Sequence, residues 1–203
     1  MKTLLPKFPK STSALLLTLL LASCSGDSPE TLVSSGKDYL AKNDAKAAVI
    51  QLKNALQKNP KLAEARFLLG SALLESGDVA GAEVELRKAL ELKYPADAVV
   101  PVLASTMLNS GQAKKLVEEF GNATLSSGEP RAALNTTLAA AHTLLGNRDI
   151  SKELLAEALA IKPDYIPALL ADIRQTAANK DMAGARSKID ALLAKYPNNP
   201  EAR

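Results

Sequence analysis

Two stretches of this chain superimpose at a fixed offset, and that offset limits the fold more than any other feature. "TLVSSGKDYLAKNDAKAAVIQLKNALQKNP" lies over "ARFLLGSALLESGDVAGAEVELRKALELKYP", with Gly36 over Gly70, Ala48 over Ala82, Leu52 over Leu86 and Ala55 over Ala89. A period of about 34 residues marks stacked supersecondary units, none of which can bury its apolar face alone. Gly36, Gly70, Ala48 and Ala82 are small where two antiparallel helices are expected to approach closely. Tyr39, Leu52, Leu73 and Leu86 are large where space between neighbouring units must be filled. "NDAK" and "SGDVAGAE" interrupt the helices with turn residues, and Asp44 and Asp78 stand where an N-cap of the second helix belongs. Pro60 and Pro95 then stop the units. Alanine and leucine dominate, aromatics are 3% and tryptophan is absent, a composition for close-packed helices rather than a β-sandwich.

The spacing resembles the tetratricopeptide (TPR) pattern W-x2-L-G-x2-Y, A-x3-F, Ala, Pro. The first copy answers it with Leu32, Ser35, Gly36, Tyr39, Ala48, Leu52, Ala55 and Pro60. The second answers with Arg66, Leu69, Gly70, Leu73, Ala82, Leu86, Ala89 and, one residue late, Pro95. Arg66 stands in place of the tryptophan, and Ser35 in place of the leucine. A third copy is degenerate: "MLNSGQ" repeats "LLESGD", but "AKKLVEEF" ends early at "GNATLSSGEP". A fourth, from about Arg131 to Pro163, keeps Leu155, Ala158 and Pro163. A fifth, from about Asp164 to Pro197, keeps Ala185, Ile189 and Pro197. The resemblance implies an all-α solenoid of antiparallel helix pairs in a right-handed superhelix, about five repeats over residues 30–203. "YPNNPEAR" reads as the start of a sixth unit without a polar cap, so the expected protein is the N-terminal portion of a longer one.

Before the repeats, Lys2, Lys7 and Lys10 precede an apolar run from Ala14 to Ala22, which is too short for a spanning helix. Leu21, Ala22, Ser23 and Cys24 follow, and they resemble the lipobox of bacterial lipoproteins. The resemblance implies a signal peptide over 1–23 and lipidation of Cys24, the only cysteine, with 24–29 as a flexible tether. Several acyl chains on one residue suffice for stable anchoring. Ser25, in place of an aspartate, points to the outer membrane with the protein facing the periplasm, the inner membrane remaining an alternative.

Charge and inventory exclude several chemistries. The chain has 25 Lys+Arg and 22 Asp+Glu; without Lys2, Lys7 and Lys10 the count is 22 against 22. A neutral mature chain offers no basic stripe for nucleic acid. One histidine, His142, and one cysteine cannot assemble a zinc site on such ligands. His142 takes the position of Tyr39 and Leu73, so it is expected to pack between helices. Glu83 with Glu85, and Glu118 with Glu119, share no helix face well enough for acid–base work and are expected on a solvated face. No phosphate-binding glycine loop is present. An enzyme, a metal, a cofactor and a small-molecule substrate are therefore not expected.

What remains is a binding surface along the first helix of each unit. Lys37, Phe67, Ser71, Asn109, Thr136 and Arg174 are the candidates to line it, with Leu74, Glu75, Leu108, Ala140 and Thr143 beside them. Lys37 suits one position of a carboxylate clamp, but Ser71 and Ser105 stand where further anchors would be sought. The mixture of Ala, Leu, Ser and Thr suits an extended or helical peptide from an envelope partner. The lipobox and the two best repeats together resemble the TPR lipoproteins of exosortase (PEP-CTERM) sorting and exopolysaccharide production. That resemblance implies a non-enzymatic periplasmic scaffold. The alternatives are a pilotin-like TPR lipoprotein of type IV pilus or secretin assembly, or an envelope enzyme with an N-terminal TPR arm.

Overall fold

A computed structural model describes residues 27–126 and 128–200. Among these residues there are ten helices and no strand: α1 (Pro29–Ala41), α2 (Ala45–Lys58), α3 (Ala63–Glu75), α4 (Val79–Glu91), α5 (Ala96–Asn109), α6 (Ala113–Phe120), α7 (Glu129–Leu144), α8 (Arg148–Ile161), α9 (Ile166–Ala178) and α10 (Met182–Lys195). They pair in order into five hairpins, and each new first helix packs on the hairpin before it. None is long and apolar enough to cross a membrane.

The hairpins reverse at one repeated backbone position. Asn43, Gly77, Gly111, Gly146 and Lys180 all have positive φ, from 56° to 88°. In the first four units the next N–H reaches back to the last turn of the first helix: Asp44 to the Tyr39 carbonyl, Asp78 to Leu73, Gln112 to Met107 and Asn147 to His142, at 2.8–2.9 Å. This left-handed cap satisfies carbonyls that the helix end leaves open. Asp44, Asp78 and Asp181 then accept hydrogen bonds from the Ala47, Gly81 and Gly184 N–H groups at 3.0, 2.9 and 2.8 Å, which starts the second helix. Pro60, Pro163 and Pro197 directly follow the C-caps Asn59, Lys162 and Tyr196.

Within the first two hairpins the helices touch. A Cβ on Gly36 would lie 2.7 Å from Leu52 Cγ, and one on Gly70 2.7 Å from Leu86 Cγ. Ala48, Leu52, Ala55, Ala82, Leu86 and Ala89 are fully buried, and Tyr39 packs against this core from its edge. Counted from the turn, the same pair of positions reads Ala104 and Phe120, Ala139 and Leu155, then Ile173 and Ile189 in the later units. The hairpin of α7 and α8 stays as closely packed as that of α3 and α4, whereas α5 with the short α6, and α9 with α10, are looser pairs.

The buried core is divided along the array. One buried cluster joins units 1 and 2, and another runs from Leu86 to Ala141 through units 2 to 4. Between units 4 and 5 the buried apolar contact is Ala132, Ala158 and Ala168, edged by Leu159, Ile161 and Tyr165, and Gln175 donates to the buried Ser151 at 3.2 Å. Unit 5 keeps a small cluster of its own: Leu170, Ile173, Ala185 and Leu192.

Several expectations are corrected. The fourth unit starts at Glu129 rather than Arg131, because Gly128, at φ 100°, breaks the backbone and Pro130 fits the first turn. The tether does not reach residue 29: Ser28 caps α1 by accepting from the Thr31 N–H at 3.1 Å, and Lys58 donates to the Asp27 carbonyl. Glu83 and Glu85 are not on a solvated face. Arg66 takes the tryptophan position and donates to Glu85 at 2.6 Å, while Lys88 reaches the same carboxylate at 2.8 Å. Arg87 bridges Glu83 and Glu119, and Gln112 donates to Glu83 at 2.7 Å. Burial alone would raise both carboxyls. The hydrogen bonds from Gln112 and Arg87, and from Lys88 and Arg66, outweigh it and hold them below the ordinary range. His142 is half-buried in the last turn of α7, where its ring meets the Asn147 side chain of the following turn at 3.3 Å.

The leading edge of the array is polar. Ala65, Val99, Leu134 and Ala168 are buried where first helices meet the preceding hairpin, as are Ala72, Thr106 and Ala141 two turns on. The same two positions of α1 are Thr31 and Asp38, both exposed, with exposed Ser34 between them.

Candidate functional site

The first helices of successive units stand side by side and, among the described residues, border a smaller and a larger hollow. The smaller, about 260 Å³, lies over α1 and the start of α3. It is lined by Glu30, Val33, Ser34, Lys37, Leu62, Glu64 and Ala65. Lys37 pairs with Glu64 at 2.8 Å across it, so the one basic group expected for a carboxylate clamp is already engaged by a carboxylate of the next helix.

The larger hollow, about 580 Å³, lies within the usual range for ligand sites. Leu74 and Val79 border it on one side. Pro101, Val102, Ser105, Thr106 and Asn109 from α5 and Ala133, Thr136 and Thr137 from α7 form its wall and floor. Tyr165 and Pro167 close it at the start of α9. None of its lining residues carries a charge. The hydroxyls of Thr106, Thr136 and Thr137 donate to carbonyls one turn back in their own helices, at 2.7, 2.7 and 2.9 Å. Ser105, Asn109 and the Tyr165 hydroxyl have no hydrogen-bond partner among the described residues. Burial raises the Tyr165 phenol, and the nearby Glu129 carboxylate adds to it, so the hydroxyl stays protonated. Pro101 lies inside α5 and has no N–H to give the Asp97 carbonyl four residues back. Nearby, the Ser126 side chain and N–H hold the Asp97 carboxyl below its ordinary range, and the N–H bond of 2.9 Å fixes the loop after α6.

Of the residues expected on this surface, Asn109, Thr136 and Leu74 share the larger hollow and Lys37 lines the smaller one. Phe67 lines neither. It stacks on Tyr94 with ring centroids 5.0 Å apart, because Tyr94 occupies the register that Pro60 holds in the first unit. The Ser71 hydroxyl donates to the Phe67 carbonyl at 3.2 Å. Leu108 packs against the central core, and Thr143 bonds the buried Ser151 at 2.8 Å between helices. Glu75 and Arg174 are exposed and Ala140 is half-buried, outside both hollows. Leu21, Ala22, Ser23 and Cys24 lie outside the described residues. The sequence reading missed Pro101, Tyr165 and Pro167. Tyr165 was recoverable: it stands two residues after Pro163, as Leu62 stands two after Pro60, and both close a hollow.

Comparison with known proteins bears on this fold. Residues 39–105 match the model of the tetratricopeptide repeat. No curated protein matches the sequence. Among solved structures, the thermophilic TPR protein TTC0263 of Thermus thermophilus is 20% identical, with a TM-score of 0.67, covering 87% of this chain and 95% of that one. PilF of Pseudomonas aeruginosa is 19% identical with a TM-score of 0.56, covering 86% and 94%. YrrB, a TPR protein with an unusual peptide-binding site, is 18% identical with a TM-score of 0.55, covering 85% and 88%. At these identities the likeness is one of architecture, and it agrees with the repeated turn, the helix pairs and the register of small residues. The chain folds as an array of tetratricopeptide repeats.

Proposed function

We propose that this protein is a lipid-anchored scaffold of the bacterial envelope that holds a partner's peptide segment against its first helices. The observation that carries the reading is the uncharged hollow shared by α5, α7 and the start of α9. It has the size and mixed apolar lining of a binding site, and nothing in it resembles an acid–base pair, an activated nucleophile or a metal cluster. TPR arrays serve as protein-interaction modules, and an extended surface of this kind suits that role. Support for the anchor comes from Leu21, Ala22, Ser23 and Cys24 and from α1 starting at Pro29, which leaves a short tether between acyl chains and array. The anchored protein faces the periplasm, from the outer membrane. The wider role in exosortase-linked sorting and exopolysaccharide export rests on the resemblance carried by the lipobox and the first two repeats.

In-cell photo-crosslinking from Ser105 and Thr136 tests the partner. Capture of exosortase or polysaccharide-export components is the expected result; capture of a pilus secretin would replace that role with a pilotin-like one. Metabolic labelling with palmitate tests the anchor. Label and membrane association are expected in the native chain and lost in Cys24→Ala, and an unlabelled native protein would remove the lipid anchor from the reading.

A further inference from the structure

The two hollows differ in chemistry, and the larger one specifies its occupant. We propose that it takes an extended, uncharged, aliphatic segment of a partner protein, read through its backbone by Ser105, Asn109 and Tyr165, and that this segment ties unit 5 to unit 4. The proposal rests on the binding-scaffold reading and names the ligand class.

Three features lead to it. First, charged residues make up 23% of the chain, yet none lines this hollow. A charged side chain entering it would shed water and find no counter-ion. Second, the polar groups left over are of the kind a backbone answers. Asn109 offers donors and an acceptor, and Ser105 and Tyr165 offer hydroxyls. A bound helix has already spent its backbone groups on itself. An extended chain presents an N–H and a C=O at every residue, roughly 3.3 Å apart. Third, the hollow crosses the joint between units 4 and 5. Its far wall, Tyr165 and Pro167, belongs to the start of unit 5, which meets unit 4 through a small alanine cluster and the Gln175–Ser151 hydrogen bond. A segment lying there touches both sides of the joint.

A random dodecamer library displayed on phage, panned against the intact protein, supplies the probe. Enriched peptides are expected to be aliphatic and free of Asp, Glu, Lys and Arg, and to bind equally well at low and high salt. Asn109→Asp and Ser105→Glu, each at an exposed position, should weaken binding by about tenfold or more, since each sets a charge in the hollow. Asn109→Ala should weaken it less, and Lys37→Ala not at all. Peptide binding should also slow amide exchange in α9 and α10. Circular dichroism of each variant separates lost binding from lost fold. Enriched peptides that are acidic or basic, that need a free C-terminal carboxylate, or that respond to Lys37→Ala and not to Asn109→Asp would overturn this assignment while leaving a peptide-binding scaffold in place. Binding without slowed exchange would overturn the bridging of units 4 and 5. A library that yields no enriched peptide would overturn the assignment and the scaffold reading together.

Discussion

Units 1 and 2 and unit 5 are built from the same pattern, yet they are held differently. In the first pair a glycine faces a fully buried leucine, and the helices close until no Cβ would fit. In unit 5 the facing positions are Ile173 and a half-buried Ile189, and a hollow of about 260 Å³ lies between α9 and α10 beside Leu169, Ile173 and Leu192. The contrast teaches that a helix hairpin can keep its turn, cap and proline stop while loosening its interior. Turn chemistry defines the unit; how tightly it closes is decided by the residues packed inside it.

The largest expected break in this comparison is Leu86→Ala. It removes a fully buried side chain that both helices of unit 2 close upon, and it should cost about 2–5 kcal/mol in urea unfolding. Ile189→Ala should cost clearly less. Equal losses would mean that unit 5 is packed as closely as unit 2. Next, Gly70→Val forces atoms into the space of Leu86 and should cost roughly 1–3 kcal/mol or more, whereas Ala139→Gly in unit 4 should lose only about 1 kcal/mol, chiefly from helix propensity.

Arg66→Ala tests the polar substitute for the tryptophan. It leaves the little-exposed Glu85 with Lys88 alone and should cost about 1–3 kcal/mol. The same carboxylates predict a pH dependence. The folded pKa values of Glu83 and Glu85 lie below their ordinary value of 4.5. Their contribution is thus fully present above that value and is lost as pH falls through the folded values. Acid unfolding of Arg66→Ala should be shallower over this window, and an unchanged acid slope would show that Glu85 titrates normally. The smallest effect is expected at the turns. Lys180 holds φ 67° where units 2 to 4 have glycine, and Lys180→Gly should stabilise unit 5 by about 1 kcal/mol, read as slower exchange in α10.

The repeat period was visible in sequence because Gly36, Gly70, Ala48, Ala82, Ala55 and Ala89 answer to local geometry: small residues at fixed offsets can mean little else. Asp44 and Asp78 were readable for the same reason, since an N-cap is decided within four residues. Glu83 and Glu85 were misjudged because their partners Arg66, Gln112 and Glu119 by way of Arg87 come from other helices, and helix spacing says nothing of what stands across the seam. Phe67 was placed on the binding surface by register. It lies elsewhere because one residue, Tyr94 in a proline's place, supplied a stacking partner. The larger hollow was half visible. Asn109 and Thr136 follow from helix register, but Tyr165 comes from a loop whose position depends on where α9 lands.

The polar edge of α1 has a consequence for crowding. A repeat array is a stack, and any stack with two matching ends can lengthen into a fibre when copies are held at high density on a surface. Thr31, Ser34 and Asp38 sit where the other first helices bury apolar residues or rest against the hairpin before them, and they are exposed. A second copy arriving there would have to dehydrate a carboxylate and two hydroxyls without recompense. That face of α1 therefore offers a stacking copy little in return for the water it would displace.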